Sequence, residues 1–432
     1  MSTELHEPPP EALEDAEAAA AEAARVAAPE IIAGSLGEYA GIWLKRVRSG
    51  ESGALPVVIG LVAIVVYFQV RNSLFLSAGN LVNLMVQGAP FIIFGMAEVF
   101  VLLLGEIDLS VGFNAANGAV IMAWLAFTVP WWAAILAGLA FTAAVGALWG
   151  ILITRLRLPS FVVTLAGLLG LQGVMISLVA RSGRGPGGSI PISSTIINDL
   201  ANGNLSPMAG WVVMIVLVVL FGASMILRDR QRRGSGLVAP PASITALKIA
   251  VMAAAGVVVV LIGNTNRGVM VPLRGVPWVV LIVLGLLAMW TALLSRTRFG
   301  RYVYAIGGNA EAARRAGVNL GMVRTLAFIL CGLTAGVAGI IYSSRLGSIS
   351  TDIDGGELVL FAVASAVIGG TALFGGRGKM LHALLGGLVV AVIYNGLGLL
   401  GLSSAATYIV TALVLLGAVI VDTLARRGRA AQ

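Results

Sequence analysis

Charge is the scarcest property of this chain. Only 11% of its 432 residues are Asp, Glu, Lys or Arg, and 58% are hydrophobic, where soluble domains carry about 25% charged residues. That deficit excludes a soluble enzyme of this length. Bulk disorder is excluded as well, because it needs low hydrophobicity and high charge. Cysteine is reduced to Cys331, so neither a disulfide framework nor a thiolate zinc cage can form. Histidine is reduced to His6 and His382, which leaves no credible Ser-His-Asp arrangement. A P-loop is missing too: ahead of Gly378-Lys379, Leu373 stands where the first glycine belongs, and Met380 replaces Ser or Thr. The run from Gly183 to Gly188 matches G-x-G-x-x-G but follows no buried strand, so it reads as a loop. Basic residues do not interleave with stacking aromatics, and no nucleic-acid partner is expected.

What the chain has in excess is apolar length, with a mean hydropathy of +0.97. A spanning helix needs ~20 mostly apolar residues. Twelve such segments are expected, at 54–70, 82–104, 112–129, 131–153, 161–180, 209–227, 245–262, 276–295, 325–343, 358–374, 381–400 and 404–422. With the N-terminus inside, the cytoplasmic segments hold 22 of the 28 Lys and Arg residues. That bias predicts an even number of spans and both termini in the cytoplasm. The expected fold is an all-α integral membrane bundle of about 12 segments. Glycine, 55 residues against a usual ~7%, predicts close helix packing at Gly332-x-x-x-Gly336. It also predicts broken or re-entrant helices near Gly369-Gly370 and Gly375-Gly376.

Residues 1–53 differ in kind, holding ten of the twenty carboxylates among alanine runs. They read as an acidic cytoplasmic tail, with an interfacial amphipathic helix within Ile31–Val47. Residues 54–423 form the membrane domain, and 424–432 a basic cytoplasmic C-terminus. Outside, 181–208 and 344–357 are the long loops. Inside, 296–324 contains glycine hinges and an Ala-rich stretch, Asn309 to Ala316, that predicts a short helix.

The polar residues inside the apolar runs are the candidate sites. Glu98 lies within the second segment, where a charge costs roughly 2.5–3.5 kcal/mol; it is either functional, or else neutral or hydrogen-bonded to a neighbouring helix. Glu106, Asp108 and Ser110 fill a gap too short for an ordinary loop. There, Asp108 or Ser110 either caps the next helix or lines a break in the pathway, with Asn114 and Asn117 continuing the polar face. Asn395 is a further polar point, or else a helix–helix contact.

Several motifs resemble the permease subunits of bacterial ABC importers for monosaccharides, the ribose, xylose, arabinose and galactose group. They are Phe75-Leu-Ser-Ala-Gly-Asn-Leu81, Leu104-Gly-Glu-Ile-Asp-Leu-Ser-Val-Gly112, Pro159-Ser-Phe-Val-Val-Thr-Leu-Ala-Gly167, and Thr297 through Asn309. Ile368-Gly-Gly-Thr371, Phe374-Gly-Gly-Arg-Gly378, and Asn395 with Leu399-Leu-Gly-Leu-Ser403 follow in the same order. The Gly-Glu-Ile-Asp wording and the extra apolar pair at 209–262 are most similar to xylose-type permeases. One departure is Glu357-Leu-Val-Leu, where the family has Glu-Leu-Asp-Ala.

The resemblance implies a non-enzymatic transport subunit of the bacterial inner membrane that moves xylose or a related pentose. It implies a permease homodimer, cytoplasmic ATP-binding subunits that hold ATP and Mg, and an external sugar-binding protein; this chain itself would hold no cofactor or metal. Loop 296–324 would couple to the ATPase through Gly307, Gly308, Asn309, Ala310, Glu311, Ala312, Ala313, Arg314 and Arg315. Arg314 and Arg315 equally fit simple inside anchoring. Glu98, Glu106, Asp108, Ser110, Asn114, Asn117 and Asn395 would line the pathway. Arg181, Arg184, Arg345, Asp352, Asp354 and Glu357 would receive the external protein. The alternatives are a proton-coupled carrier using Glu98, Glu106 and Asp108, or an ABC permease for another small solute.

Overall fold

The computed structural model describes residues 33–48, 55–183 and 188–403, with 405–406, 408–410, 412–413 and 416–417. Residues 1–32, Arg184, most of the twelfth expected segment and the basic C-terminus lie outside the described residues.

The described chain is mostly helical and divides into two units. One unit holds α1 (Leu36–Arg48) and, almost whole, the long apolar helices α8 (Pro207–Gly234) and α9 (Ala242–Asn264). Within it, Thr245 donates to buried Asp229 at 2.6 Å.

The other unit carries everything described below. Its helices are α2 (Leu55–Arg71), α3 (Ala78–Leu102), α4 (Val111–Leu125), α5 (Trp131–Arg155), α6 (Ser160–Ser182) and α7 (Thr195–Asn202). They continue with α10 (Trp278–Arg296), α11 (Arg298–Gly308), α12 (Ala310–Arg315), α13 (Leu320–Leu346), α14 (Gly355–Ile368) and α15 (Met380–Leu399). Among the described residues, eight helices are long and apolar enough to cross a membrane, and α2, α4 and α14 are shorter apolar helices.

The centre is α3. It is apolar all round from Gly88 to Leu102 except for Glu98, and a helix of that kind belongs inside protein; every residue from Gln87 to Leu102 is buried. Around it pack α13, α15, α14 and α10. Small residues set these approaches, since a Cβ on Gly95 would sit 2.7 Å from Ser365 Cβ and one on Gly88 2.7 Å from Ala391 Cβ. The expected close packing at Gly332 and Gly336 is present: both face Thr142 on α5. Pro90 inside α3 cannot donate to the Val86 carbonyl, which leaves one helical rung open.

Several expectations shift. Helix α3 starts at Ala78 rather than 82, because Ser77 caps it by accepting from Asn80 N while the polar Asn80 and Asn83 had hidden that turn. Segment 358–374 ends early, at Ile368. The fold is also not purely α-helical. Ser189–Pro191 (β1) and Ser348–Ser350 (β2) pair antiparallel, Ile190 opposite Ile349. Three-residue strands carry no readable alternation.

Candidate functional site

Three interruptions of helical structure meet at one end of this unit. The first follows α3, where Gly105 takes φ +76°. The second separates α14 from α15, with Gly370, Gly375 and Gly376 all at positive φ, a region open to glycine at no steric cost. The third is the C-terminus of α11. Gly376 N donates to Leu103 O at 2.9 Å, joining the first two. A Cβ on Gly307 would collide with Leu103 O and Gly376 N, so α11 lies against both. Tyr304 Oη donates to Gly378 O at 2.8 Å, and burial pushes its phenol up from the ordinary value, which keeps the donor proton in place.

The expected glycine hinge region is thus itself a helix. Gly300 and Gly307 are there for backbone approach, not for bending: a Cβ on Gly300 would meet Leu294 O. Gly308, by contrast, has open space around it. The short helix predicted from Asn309 is present as α12. Asn309 caps it, accepting from Ala312 N at 2.9 Å. Ala310 is half-buried and Ala313 buried, while Ala312, Glu311, Arg314 and Arg315 face outward. Both arginines pair with Glu311, at 2.9 and 3.4 Å. Phe374 in the second interruption is 87% exposed.

The polar candidates of the first interruption turn to different partners. Asp108 is fully buried, and its Oδ1 accepts from Ser110 N at 2.9 Å and Ser110 Oγ at 2.6 Å. Ser110 Oγ in turn accepts from Trp149 Nε1 at 2.9 Å. The helix-cap expectation fails here: Ser110 makes no side-chain cap bond, and Asp108 is consumed in holding the turn. Asn114 Nδ2 donates to Thr142 O, and Asn117 Nδ2 to Phe113 O and Leu171 O. These amides tie α4 to α5 and α6. Glu106 instead faces Arg324 at 3.3 Å. Glu98 is fully buried beside Asp108, whose backbone N–H faces its carboxylate, and neither oxygen completes a hydrogen bond of good geometry among the described residues.

At the opposite end of α3 lies a polar cavity of about 350 Å³. Asn80, Asn83 and Gln87 form one stripe of α3, Glu357 comes from the first turn of α14, and Tyr394 and Asn395 from α15; Tyr408 completes the wall. Asn80 and Asn395 exchange hydrogen bonds, at 2.8 and 3.0 Å, and Asn395 Nδ2 also donates to Gln87 Oε1 at 3.1 Å. Tyr408 Oη donates to Glu357 Oε2 at 3.3 Å. Sequence reasoning found Asn395 and assigned Glu357 to external docking. It missed Asn80, Asn83 and Gln87, although their i, i+3, i+7 spacing on an otherwise apolar helix marks one face.

Among the other external candidates, Asp354 caps α14 by accepting from Gly356 N and Glu357 N. Arg345 is half-buried, whereas Asp352 and Arg181 are exposed. In the chain, Arg345 and Asp352 flank β2, and Arg181 lies at the end of α6.

The family described as "Branched-chain amino acid transport system / permease component" matches residues 80–419. The chain belongs to this permease family. The permease is 34% identical over 382 residues to the xylose transport system permease protein XylH of Haemophilus influenzae, covering 86% of this chain and 97% of that protein. It is 32% identical over 376 residues to XylH of Escherichia coli, covering 86% and 92%. It is also 32% identical over 366 residues to the ribose import permease protein RbsC of Escherichia coli, covering 84% and 92%. No solved structure matches it significantly. The permease is therefore a transport subunit and a multi-pass membrane protein rather than a catalytic enzyme.

Proposed function

We propose that this permease is the membrane-spanning subunit of an ATP-driven importer that brings a monosaccharide, xylose or a related pentose, across a bacterial inner membrane. The observation that carries this reading is the likeness to xylose and ribose permeases over most of both chains. In this reading the chain spans twelve times with both termini in the cytoplasm and forms a homodimer. An external sugar-binding protein delivers the cargo near β2 and Glu357, and two cytoplasmic subunits bind ATP and Mg.

The grouping of the loops supports that sidedness. The three interruptions, α11 and α12 are all assigned inside by the Lys and Arg bias, and they touch one another. The paired strands β1 and β2 come from two loops assigned outside. On the inner side, exposed Phe374 and α12 offer a partner an apolar knob beside a short helix, the kind of anchor that binding energy concentrates on. ATP-driven movement of α12 would reach the helix interruptions through Gly307 and Tyr304.

Uptake of radiolabelled D-xylose, D-ribose and L-leucine tests the proposal, in cells that carry the permease with its native ATPase and binding protein. Deleting the permease should abolish pentose uptake and leave leucine uptake unchanged, and vanadate should block transport. Pentose uptake that resists vanadate but collapses with a protonophore would replace this reading by the proton-coupled one.

A further inference from the structure

We propose that the cavity at the start of α3 is a transit station for an uncharged polyol, sealed on its inner side by a gate of three rings, Phe91, Phe361 and Tyr394. This rests on the importer reading above and names where its cargo passes.

The three helices repeat one pattern. Each sets a polar or open position at the cavity and a ring one turn deeper. On α3 the pair is Gln87 and Phe91; on α14 it is Glu357 and Phe361; on α15, which runs the other way, it is Gly398 and Tyr394. The rings pack edge to face, with centroids 4.9 Å (Phe91–Phe361), 5.5 Å (Phe91–Tyr394) and 5.9 Å (Phe361–Tyr394) apart. Phe91 and Phe361 are each 2% exposed. A wet stripe thus ends at these rings, with half-buried Tyr394 forming part of the cavity wall and Phe91 and Phe361 closing beneath it. Pro90, between Gln87 and Phe91, removes a helical hydrogen bond at that level and gives α3 a place to flex.

The lining fits a sugar better than an amino acid. Amides and phenols both donate and accept, as the hydroxyls of a polyol do. Among the described lining residues there is one carboxylate, Glu357, and no cation, so an amino-acid carboxylate would find no charged partner. The volume lies at the small end of the roughly 300–1,000 Å³ usual for ligand sites. Asn80, Asn395 and Gln87 already satisfy one another. A sugar must compete with those bonds, so it is held weakly, as passage requires.

Thiol accessibility tests both parts, because the only native cysteine, Cys331, is fully buried. Asn83→Cys in the full chain, reconstituted in proteoliposomes, should react with a membrane-impermeant methanethiosulfonate. D-xylose or D-ribose at high millimolar concentration should slow that reaction about threefold or more, and L-leucine should not. In the rim variants Glu357→Gln and Tyr408→Phe, which remove no packing volume, half-protection should need about threefold more sugar.

Ser365, one turn below Phe361 and fully buried, reports the gate. Ser365→Cys should react about tenfold more slowly than Asn83→Cys, and adding Phe361→Ala should restore much of that rate. Unchanged labelling of Ser365→Cys after Phe361→Ala would overturn the gate. Pentose uptake in cells with no sugar protection of Asn83→Cys would overturn the station and leave the importer reading standing. Protection by leucine instead, without pentose uptake, would overturn both.

Discussion

Arg324 Nε lies 3.3 Å from Glu106 Oε1, an ion pair between the start of α13 and the break that follows α3. The Nε–H is not aimed at the carboxylate, and it has no hydrogen-bond partner among the described residues, so the contact is Coulombic. Its side chains are 29% and 15% exposed. Such a partly screened pair is worth on the order of 1 kcal/mol. Because it joins the end of loop 296–324 to the interruption, we expect Glu106→Gln and Arg324→Gln each to lower transport several-fold. The double variant should be no worse than either single one, the signature of residues acting as a pair; additive losses in vesicle transport rates would contradict this.

Glu98 has no cation facing it, and among the described residues the Asp108 backbone N–H approaches its carboxylate without a hydrogen bond of good geometry. Glu98→Gln keeps its shape and removes the capacity to ionise. Transport should stay within about twofold of wild type, whereas Glu98→Lys should block membrane assembly, since an unpaired buried charge has no compensation. Loss of transport in a well-folded Glu98→Gln protein would instead favour a proton relay.

Close backbone contacts make some glycines indispensable. A Cβ on Gly112 would overlap the Gly355 carbonyl, while one on Gly173 meets nothing within 4 Å. Gly112→Ala should therefore destabilise by about 1–3 kcal/mol, the usual cost of overpacking, and Gly173→Ala should be silent. Thermal shifts followed by fluorescence-detected size exclusion would separate the two.

The cap of α12 gives a graded test of coupling. Asn309→Ala loses the bond to Ala312 N and should cost about 1 kcal/mol locally, while Asn309→Asp retains a capping oxygen. ATPase stimulation by the loaded binding protein should fall in the first and persist in the second. Gly308→Trp, which has open space around it, should leave folding intact and still uncouple the ATPase. Full stimulation in Gly308→Trp would remove this surface from the docking site.

Much of this arrangement was readable from the residues. The gap at Gly105–Val111 was too short for a loop, and it is a break. The glycine pairs at 369–370 and 375–376 announced another, and the Ala-rich stretch from Asn309 announced a short helix. The failures have physical causes. Gly300 and Gly307 read as hinges because a sequence does not say whether a missing side chain serves bending or close approach. The polar cavity draws on three helices far apart in the chain, so no local window contains it. Asp108 seemed a helix cap because carboxylates commonly are, yet its oxygen is spent on Ser110. That choice between two acceptable partners is made only by tertiary packing.

The junction of Leu103, Gly307 and Gly376 is made of main-chain atoms. Its bonds need bare backbone at Gly307 and Gly376, and they depend on the number of residues between anchor points. One residue added to or removed from 103–110 or 371–379 would shift every partner out of register. In this corner of the protein, heredity can reword exposed positions such as Phe374, but neither the glycines nor the count.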